Sequence, residues 1–376
     1  MRNLINYLIV IMLAVFLNLS DPAQAQDTRT IGVIQCITGV GAAYAEKMLF
    51  GINQAKDDIN VVGGIKGKKI ELVIRDSAYS KTQAAAMFKQ LAGMPEILAV
   101  CGPEGTPTTV AVQHIAAELK LLSISPMSTS PESFDPNNPW LFRIPVTLTI
   151  GNRLLLKRAQ EKLGIKDVAI MYAINNDYTV MSKNTFVKEC EKFGIKVVTV
   201  EAFRQGDIDF SAQVTKLKSL QFDALILCAI SGDAGIIAAK AREMGIKAQF
   251  LGDAGVTEAT YYKVSRGASE GTIAAIPFNP KSESPLVKQF VATYRKHYKT
   301  EGLPSAPHAY GYDALAILAD AIGRAKSLTR EAVRDALGQT RNFEGLTGSL
   351  SYKDHGDVIR EEVYVVKMVG ESYESF

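Results

Sequence analysis

Cysteine, histidine and tryptophan are scarce in this chain of 376 residues, with four, four and one copies respectively. Four cysteines over such a length do not build a disulfide scaffold, and no CxxC pair occurs. With so few histidines, a metal cluster is not expected, and no cofactor is expected either. Neither sign of charge dominates. Lys and Arg number 42 against 39 Asp and Glu, a net charge of +3, which gives no reason to expect a nucleic-acid partner. After the first 25 residues no run approaches the roughly 18 apolar residues that span a bilayer. What is present is 47% hydrophobic residues with 29 Gly and 14 Pro. That describes an ordinary globular chain, long enough for two cored domains at roughly 150 residues each.

Residues 1–25 read as an export signal rather than as structure. Arg2 supplies the positive start, Leu8 to Leu17 is an uncharged apolar run, and Ala23-Gln24-Ala25 is an A-x-A cleavage site. The alternative, a membrane anchor, is disfavoured because Asn6 and Asn18 interrupt an already short stretch. The mature chain then starts near Gln26. No cysteine stands at the cleavage point, so no lipid anchor is expected.

Beyond residue 27, short β-rich runs alternate with helical ones. Thr30–Cys36, Lys69–Arg75, Ile97–Cys101 and Leu121–Ile124 read as strands, separated by helices over Tyr44–Asn60, Ser80–Leu91 and Pro107–Leu119. That order predicts a parallel sheet covered by helices. After a Ser/Pro/Asn-rich loop over Ser125–Trp140, the rhythm restarts. Strands are expected at Asp167–Tyr172, Lys196–Val200, Asp223–Cys228 and Ala248–Leu251. Helices are expected at Thr179–Phe193, Ser211–Leu220 and Asp233–Met244. Helices over Ser284–Tyr298, His308–Ala325 and Thr329–Leu337 and a strand over Glu362–Met368 follow, and Glu371–Glu374 reads as a frayed end. The fold class expected is α/β, with two doubly wound parallel-sheet lobes.

Three glycine motifs are poor carriers of chemistry. Gly39-Val40-Gly41-Ala42-Ala43-Tyr44 resembles GxGxxG, but Tyr44 stands where the third glycine belongs. Gly267-Ala268-Ser269-Glu270-Gly271 matches GxSxG, but it precedes a strand where a nucleophile elbow needs strand, then Ser, then helix. A hydrolase using Ser269 with His297 or His308 is therefore disfavoured. Gly63–Lys69 fits no phosphate-loop register. Cys36 and Cys101 close expected neighbouring strands, and buried free thiols are preferred to a bond; Cys190 and Cys228 are read the same way.

The strand ends are more informative. Thr106 is expected to cap a helix that opens with Pro107, beside Glu104, presenting N–H groups and a hydroxyl to an anion. Ser123–Ser130, with Met127 and Thr129, sits on the neighbouring strand's rim. From the second lobe come Asn175–Tyr178, Ser231–Asp233 and Gly252–Gly255, all past carboxyl ends of strands. Two lobes offering such rims to each other make a cleft for a small ligand.

At this point the chain resembles the periplasmic solute-binding proteins of branched-chain amino acid ABC transporters, the leucine/isoleucine/valine-binding type. The resemblance spans residues 28–370. It rests on Gly51…Asp58-Ile59-Asn60 with Gly63-Gly64-Ile65-Lys66-Gly67-Lys68-Lys69-Ile70, then Arg75-Asp76 with Gln83-Ala84 and Ser125-Pro126-Met127-Ser128-Thr129-Ser130-Pro131. Further on it rests on Asn176-Asp177-Tyr178, Asp209-Phe210-Ser211 and Phe250-Leu251-Gly252 with Gly255.

The resemblance implies the type I periplasmic binding fold, with two lobes joined by three hinge crossovers near Arg143–Thr147, Pro277–Pro280 and Gly348–Tyr352. Lobe 1 would comprise 26–143 and 280–348, and lobe 2 would comprise 144–279 and 349–376. It implies a monomeric, non-catalytic periplasmic protein that takes a small carboxylate ligand, most directly an aliphatic amino acid, and docks on a membrane permease. In that pattern Thr106 holds the ligand carboxylate. Met127 offers a carbonyl to the ammonium, Thr129 offers a hydroxyl, and Tyr44 and Tyr178 close over the side chain. Ser231 joins them from the second rim. Two positions depart: Ala254 stands where the family's amino-acid binders have an acid, and Ile230 where they often have an aromatic residue. Asp253 or Glu104 is then the candidate replacement for the missing charge. The alternatives are a carboxylate ligand with no ammonium, or a ligand sensor in a signalling complex.

Overall fold

The computed structural model describes residues 28–130, 133–353, 355–359 and 363–376. The expected leader, residues 1–25, Pro131 and the expected strand start at Glu362 lie outside them. The elements run β1 (Arg29–Gln35), α1 (Ala42–Val61), β2 (Ile70–Asp76), α2 (Lys81–Ala92), β3 (Ala99–Cys101), α3 (Thr106–Glu118), β4 (Leu122–Ser125) and β5 (Leu141–Arg143). Next come α4 (Leu148–Leu163), β6 (Asp167–Ala173), α5 (Asp177–Phe193), β7 (Lys196–Phe203), α6 (Ser211–Lys218), β8 (Ala224–Cys228), α7 (Ser231–Glu243) and β9 (Gln249–Gly252). A 3₁₀ turn (Ala254–Thr257) leads to α8 (Ala259–Ser265) and β10 (Ile273–Ile276). The chain continues with α9 (Pro285–Tyr298), α10 (Ala306–Arg324), α11 (Arg330–Gly338), β11 (Phe343–Gly345), β12 (Gly348–Lys353), β13 (His355–Ile359), β14 (Tyr364–Val369) and β15 (Ser372–Ser375).

Two sheets result, in the orders β11-β12-β13-β5-β4-β3-β1-β2 and β15-β14-β10-β9-β8-β6-β7. The central strands of both are parallel, as expected, and each sheet ends in an antiparallel edge. The central strands are mostly apolar, as sheets covered on both faces require: β8 and β10 are apolar and buried at every position. In the first lobe α1 crosses α10 at two glycines. A methyl on Gly51 would strike the His308 carbonyl, and one on Gly311 the Met48 carbonyl, so only glycine permits this crossing.

Several expectations need correction. The sequence reading places no helix over α4, yet Leu148, Asn152, Leu155, Leu156 and Ala159 are buried at helical spacing and Gly164, at φ 68°, stops it. The C-terminal residues are not frayed, because β15 pairs with β14 from Val366↔Ser375 to Val369↔Ser372. The strands after Gly348 stay with the first sheet, where Gly356 pairs with Phe142 of β5. The third passage between lobes therefore lies between Ile359 and Tyr364, not at Gly348. The four cysteines are buried and free.

Candidate functional site

In the first sheet the strand order reverses at β1 and β3, and in the second at β6 and β8. Those are the points where the loops after neighbouring strands diverge and leave a crevice. The two crevices face each other. Between them lies a cavity of about 80 Å³, room for a handful of water-sized groups. Val40, Gly41 and Tyr44 reach it from the end of β1, and Gly105 and Thr106 from the end of β3. Tyr178 reaches it from the end of β6 and Ile230 from the end of β8.

One end of the cavity is a helix start, the kind of place that suits an anion. Thr106 is the first residue of α3, not its cap as the sequence suggested; Gly105 takes the cap position in extended backbone. The Thr108 hydroxyl serves the cap instead, accepting from Gly105 N at 3.3 Å and donating to Gly105 O at 3.0 Å. That leaves the Thr106 side chain to the cavity, where it accepts only from Ser128 Oγ at 3.3 Å, so its own proton is available. A helix start carries partial positive charge and unpaired N–H groups. Across the cavity, Asn176 Oδ1 accepts from Tyr178 N at 2.9 Å, which fixes where α5 begins and where the Tyr178 ring stands. Most of the remaining wall is apolar or aromatic, from Val40, Tyr44, Tyr79, Ile230, Pro307 and Tyr310, with Thr129, Gln205 and Glu258 as its polar members.

Of the sequence-predicted residues, Tyr44, Thr106, Met127, Thr129 and Tyr178 line this cavity. Three do not. Ser231 stands behind Tyr44 and accepts its hydroxyl proton at 3.1 Å, a bond between the lobes. Glu104 is sealed beneath the anion end; Ser77 Oγ donates to Oε1 at 2.7 Å and Oε2 has no partner. Burial there raises its pKa from 4.5 to about 7. Asp253 lies in an adjoining chamber whose wall it shares with Tyr178, accepting from Ser182 Oγ at 2.6 Å and from Gly255 N at 3.0 Å. Desolvation raises its pKa too.

Sequence reasoning missed Glu258, Tyr79, Gln205 and Tyr310, all of which line the cavity. Glu258 is the acidic residue on its wall, four positions after Ala254. It is paired across the cleft with Lys47, and Ser305 Oγ donates to it at 3.2 Å. Tyr79 follows Ala78, both with positive φ (56° and 46°), a backbone that non-glycine residues adopt where the surroundings compel it. With Lys81–Asp177 at 2.6 Å, these contacts join the lobes around the cavity.

Ser269, in the GxSxG stretch, lies in the turn before β10, buried and away from the cavity walls. No group of His, Cys, Asp and Glu suited to a metal ion occurs among the described residues. Among them, too, no helix is long and apolar enough to cross a membrane.

The chain resembles known proteins along nearly all of its length. It is 28% identical over 343 residues to the leucine-, isoleucine-, valine-, threonine- and alanine-binding protein of Pseudomonas aeruginosa, covering 89% of this chain and 88% of that one. The crystal structure of a leucine binding protein, LivK, from Thermotoga maritima superposes with a TM-score of 0.85 at 29% identity, covering 92% of this chain and 97% of that one. The branched-chain amino acid transporter substrate binding protein LivJ of Streptococcus pneumoniae, solved in complex with isoleucine, gives the same TM-score and identity over 93% and 98%. The profile of one family, described as periplasmic binding protein, matches residues 28–372. With a paired-lobe α/β fold, a cavity at the switch points of both sheets and a family match over residues 28–372, the chain belongs to the periplasmic binding protein family.

Proposed function

We propose that the chain is the exported, monomeric receptor of an uptake system, which captures a free aliphatic amino acid of the branched-chain class and delivers it to an ABC permease. The observation that carries this reading is the cavity itself: a helix start at one end, mostly apolar and aromatic walls around the rest, and lobes that meet over it. The ligand carboxylate goes to the Thr106 hydroxyl and the N–H groups of the first turn of α3. The ammonium goes to the Met127 carbonyl and the Thr129 hydroxyl, and Asp253, behind the Tyr178 ring, supplies the opposing charge. Glu258 is already neutralised by Lys47. The aliphatic side chain packs on Tyr44, Ile230 and Pro307. The named ligands of the P. aeruginosa and S. pneumoniae relatives agree with this chemistry. Residues 1–25 act as the cleaved leader.

One observation favours a second reading, a carboxylate without an ammonium: the acid on the wall of the main cavity already has a cation. Thermal unfolding with leucine, isoleucine, valine and 4-methylpentanoate separates the two. A ligand at 100 times its Kd stabilises the protein by about 2.7 kcal/mol. The amino acids are expected to raise Tm and the deaminated acid to do so far less. Equal shifts select the carboxylate reading, and no shift with any of them sinks both.

A further inference from the structure

The cavity does not end at Thr129. A second chamber of about 50 Å³ lies beside it, and Thr129, Tyr178 and Tyr310 are walls of both. Much of the rest of its wall comes from the stretches that pass between the lobes: Val146, Thr147 and Leu148 after the first sheet, Pro277 after β10, and Val363 before β14. The chamber is therefore on the hinge side, away from the anion end at Thr106.

Its polar groups are unsatisfied in a complementary way. Asn152, in the second turn of α4, is 1% exposed, and its Nδ2 has no hydrogen-bond partner. Thr129 Oγ1, on the shared wall, has none either. Buried polar groups in native proteins are nearly always paired, so two orphans on the walls of one chamber call for a guest. Asp253 is the third group. It accepts hydrogen bonds, but none of the ion pairs found among the described residues includes it, although the buried Glu258, five positions later, has a cation. A buried carboxylate without a cation is complementary to an amine. The chamber thus offers one donor for a carbonyl and one anion for an amine.

We propose that this chamber is a second ligand subsite, which takes a small aminoacyl group joined to the nitrogen of the amino acid in the main cavity, as in a dipeptide whose first residue is glycine. The inference rests on the orientation given under Proposed function, with the carboxylate at Thr106 and the nitrogen at Thr129. That nitrogen then stands at the wall between the chambers, and its substituent extends towards Asn152 and Asp253. The carbonyl accepts from Asn152 Nδ2 and the terminal amine donates to Asp253. Size agrees: at 10–15 Å³ for each water-sized group, 50 Å³ holds roughly three to five, and a glycyl unit has about four non-hydrogen atoms.

Calorimetric titration with leucine, glycylleucine and N-acetylleucine tests this on the whole mature chain. Glycylleucine is expected to bind within tenfold of leucine, and N-acetylleucine, which lacks the amine, at least tenfold more weakly than glycylleucine. Asn152→Leu, which fills the chamber, is expected to cost glycylleucine tenfold or more while leucine stays within twofold. Thr147→Leu closes the chamber from another wall and must give the same selective loss, so one unstable variant does not decide the matter. If wild-type protein binds leucine but not glycylleucine, or if both variants weaken the two ligands equally, the subsite is refuted. If glycylleucine binds and leucine does not, the subsite stands and the free amino acid reading falls. If neither binds, both fall.

Discussion

Glu104 makes a pH-dependent prediction that links stability to ligand binding. Its side chain is fully buried beneath Gly105 and Thr106, with one hydrogen bond from Ser77, and its pKa is raised from 4.5 to about 7. Between those two values the folded protein holds a proton that the unfolded chain has released. Stability from this group is therefore fully present below about pH 4.5, falls as pH rises, and is lost above about pH 7. At 1.36 kcal/mol for each tenfold change in proton affinity, the difference is about 3 kcal/mol. Glu104→Gln keeps an acceptor for Ser77 and removes the charge. Urea unfolding of both proteins is expected to give similar stabilities near pH 4.5 and a variant more stable by about 3 kcal/mol at pH 8. The same charge lies under the anion end of the cavity, so ionised Glu104 repels a carboxylate bound at Thr106. Affinity of the wild type for a carboxylate ligand is expected to fall between pH 6 and 8, and that of the variant to stay flat. A stability difference between the proteins that does not change with pH would refute the reasoning. It would mean that the Glu104 carboxyl is solvated or paired in a way its surroundings do not suggest.

Other expectations follow from single contacts. Thr106→Ala removes a hydroxyl on the cavity wall that the proposed pose gives to the ligand carboxylate, and calorimetry should show binding weaker by about 1–3 kcal/mol with little loss of Tm. Lys47→Met leaves Glu258 without its cation and should cost about 3–5 kcal/mol of stability in the closed form; the double variant with Glu258→Gln should recover most of it, as chemical unfolding with saturating ligand would show. Gly311→Leu forces a side chain into the Met48 carbonyl across the α1–α10 crossing. It should lower stability by at least about 1–3 kcal/mol in thermal unfolding, while the cavity walls from the second lobe stay intact.

Much of the architecture was legible because its strands are short apolar runs between helices with apolar stripes, and that alternation admits few topologies. Helix α4 was equally legible by its buried spacing and by Gly164, but it follows the long polar loop before β5 and was passed over. The antiparallel edges were not legible. Gly345 to Gly348 reads as a loop in sequence, yet it turns a hairpin whose far strands are seated by pairing with β5, some 200 positions earlier. Local pattern carries no record of such a partner. The site divides in the same manner. Tyr44, Thr106, Met127, Thr129 and Tyr178 sit directly after strand ends, where rank order along the chain already points to a cleft. Glu258 escaped notice because its importance comes from Lys47 on the other lobe, and Glu104 was overrated because adjacency to Thr106 says nothing of which way a side chain turns. Asp253 was nearer the mark, one wall removed from the main cavity.

The order in which the chain visits its sheets bears on how the protein is made. The first sheet opens with Arg29 but needs β13, through the Gly356–Phe142 pair, and the second needs β14 beside β10. The first lobe lacks its last strand until Ile359 has been made, and the second lacks its own until Ser375. Contacts so distant in sequence assemble slowly, so both sheets close late, on strands that lie some 200 and some 90 residues after the partners they join.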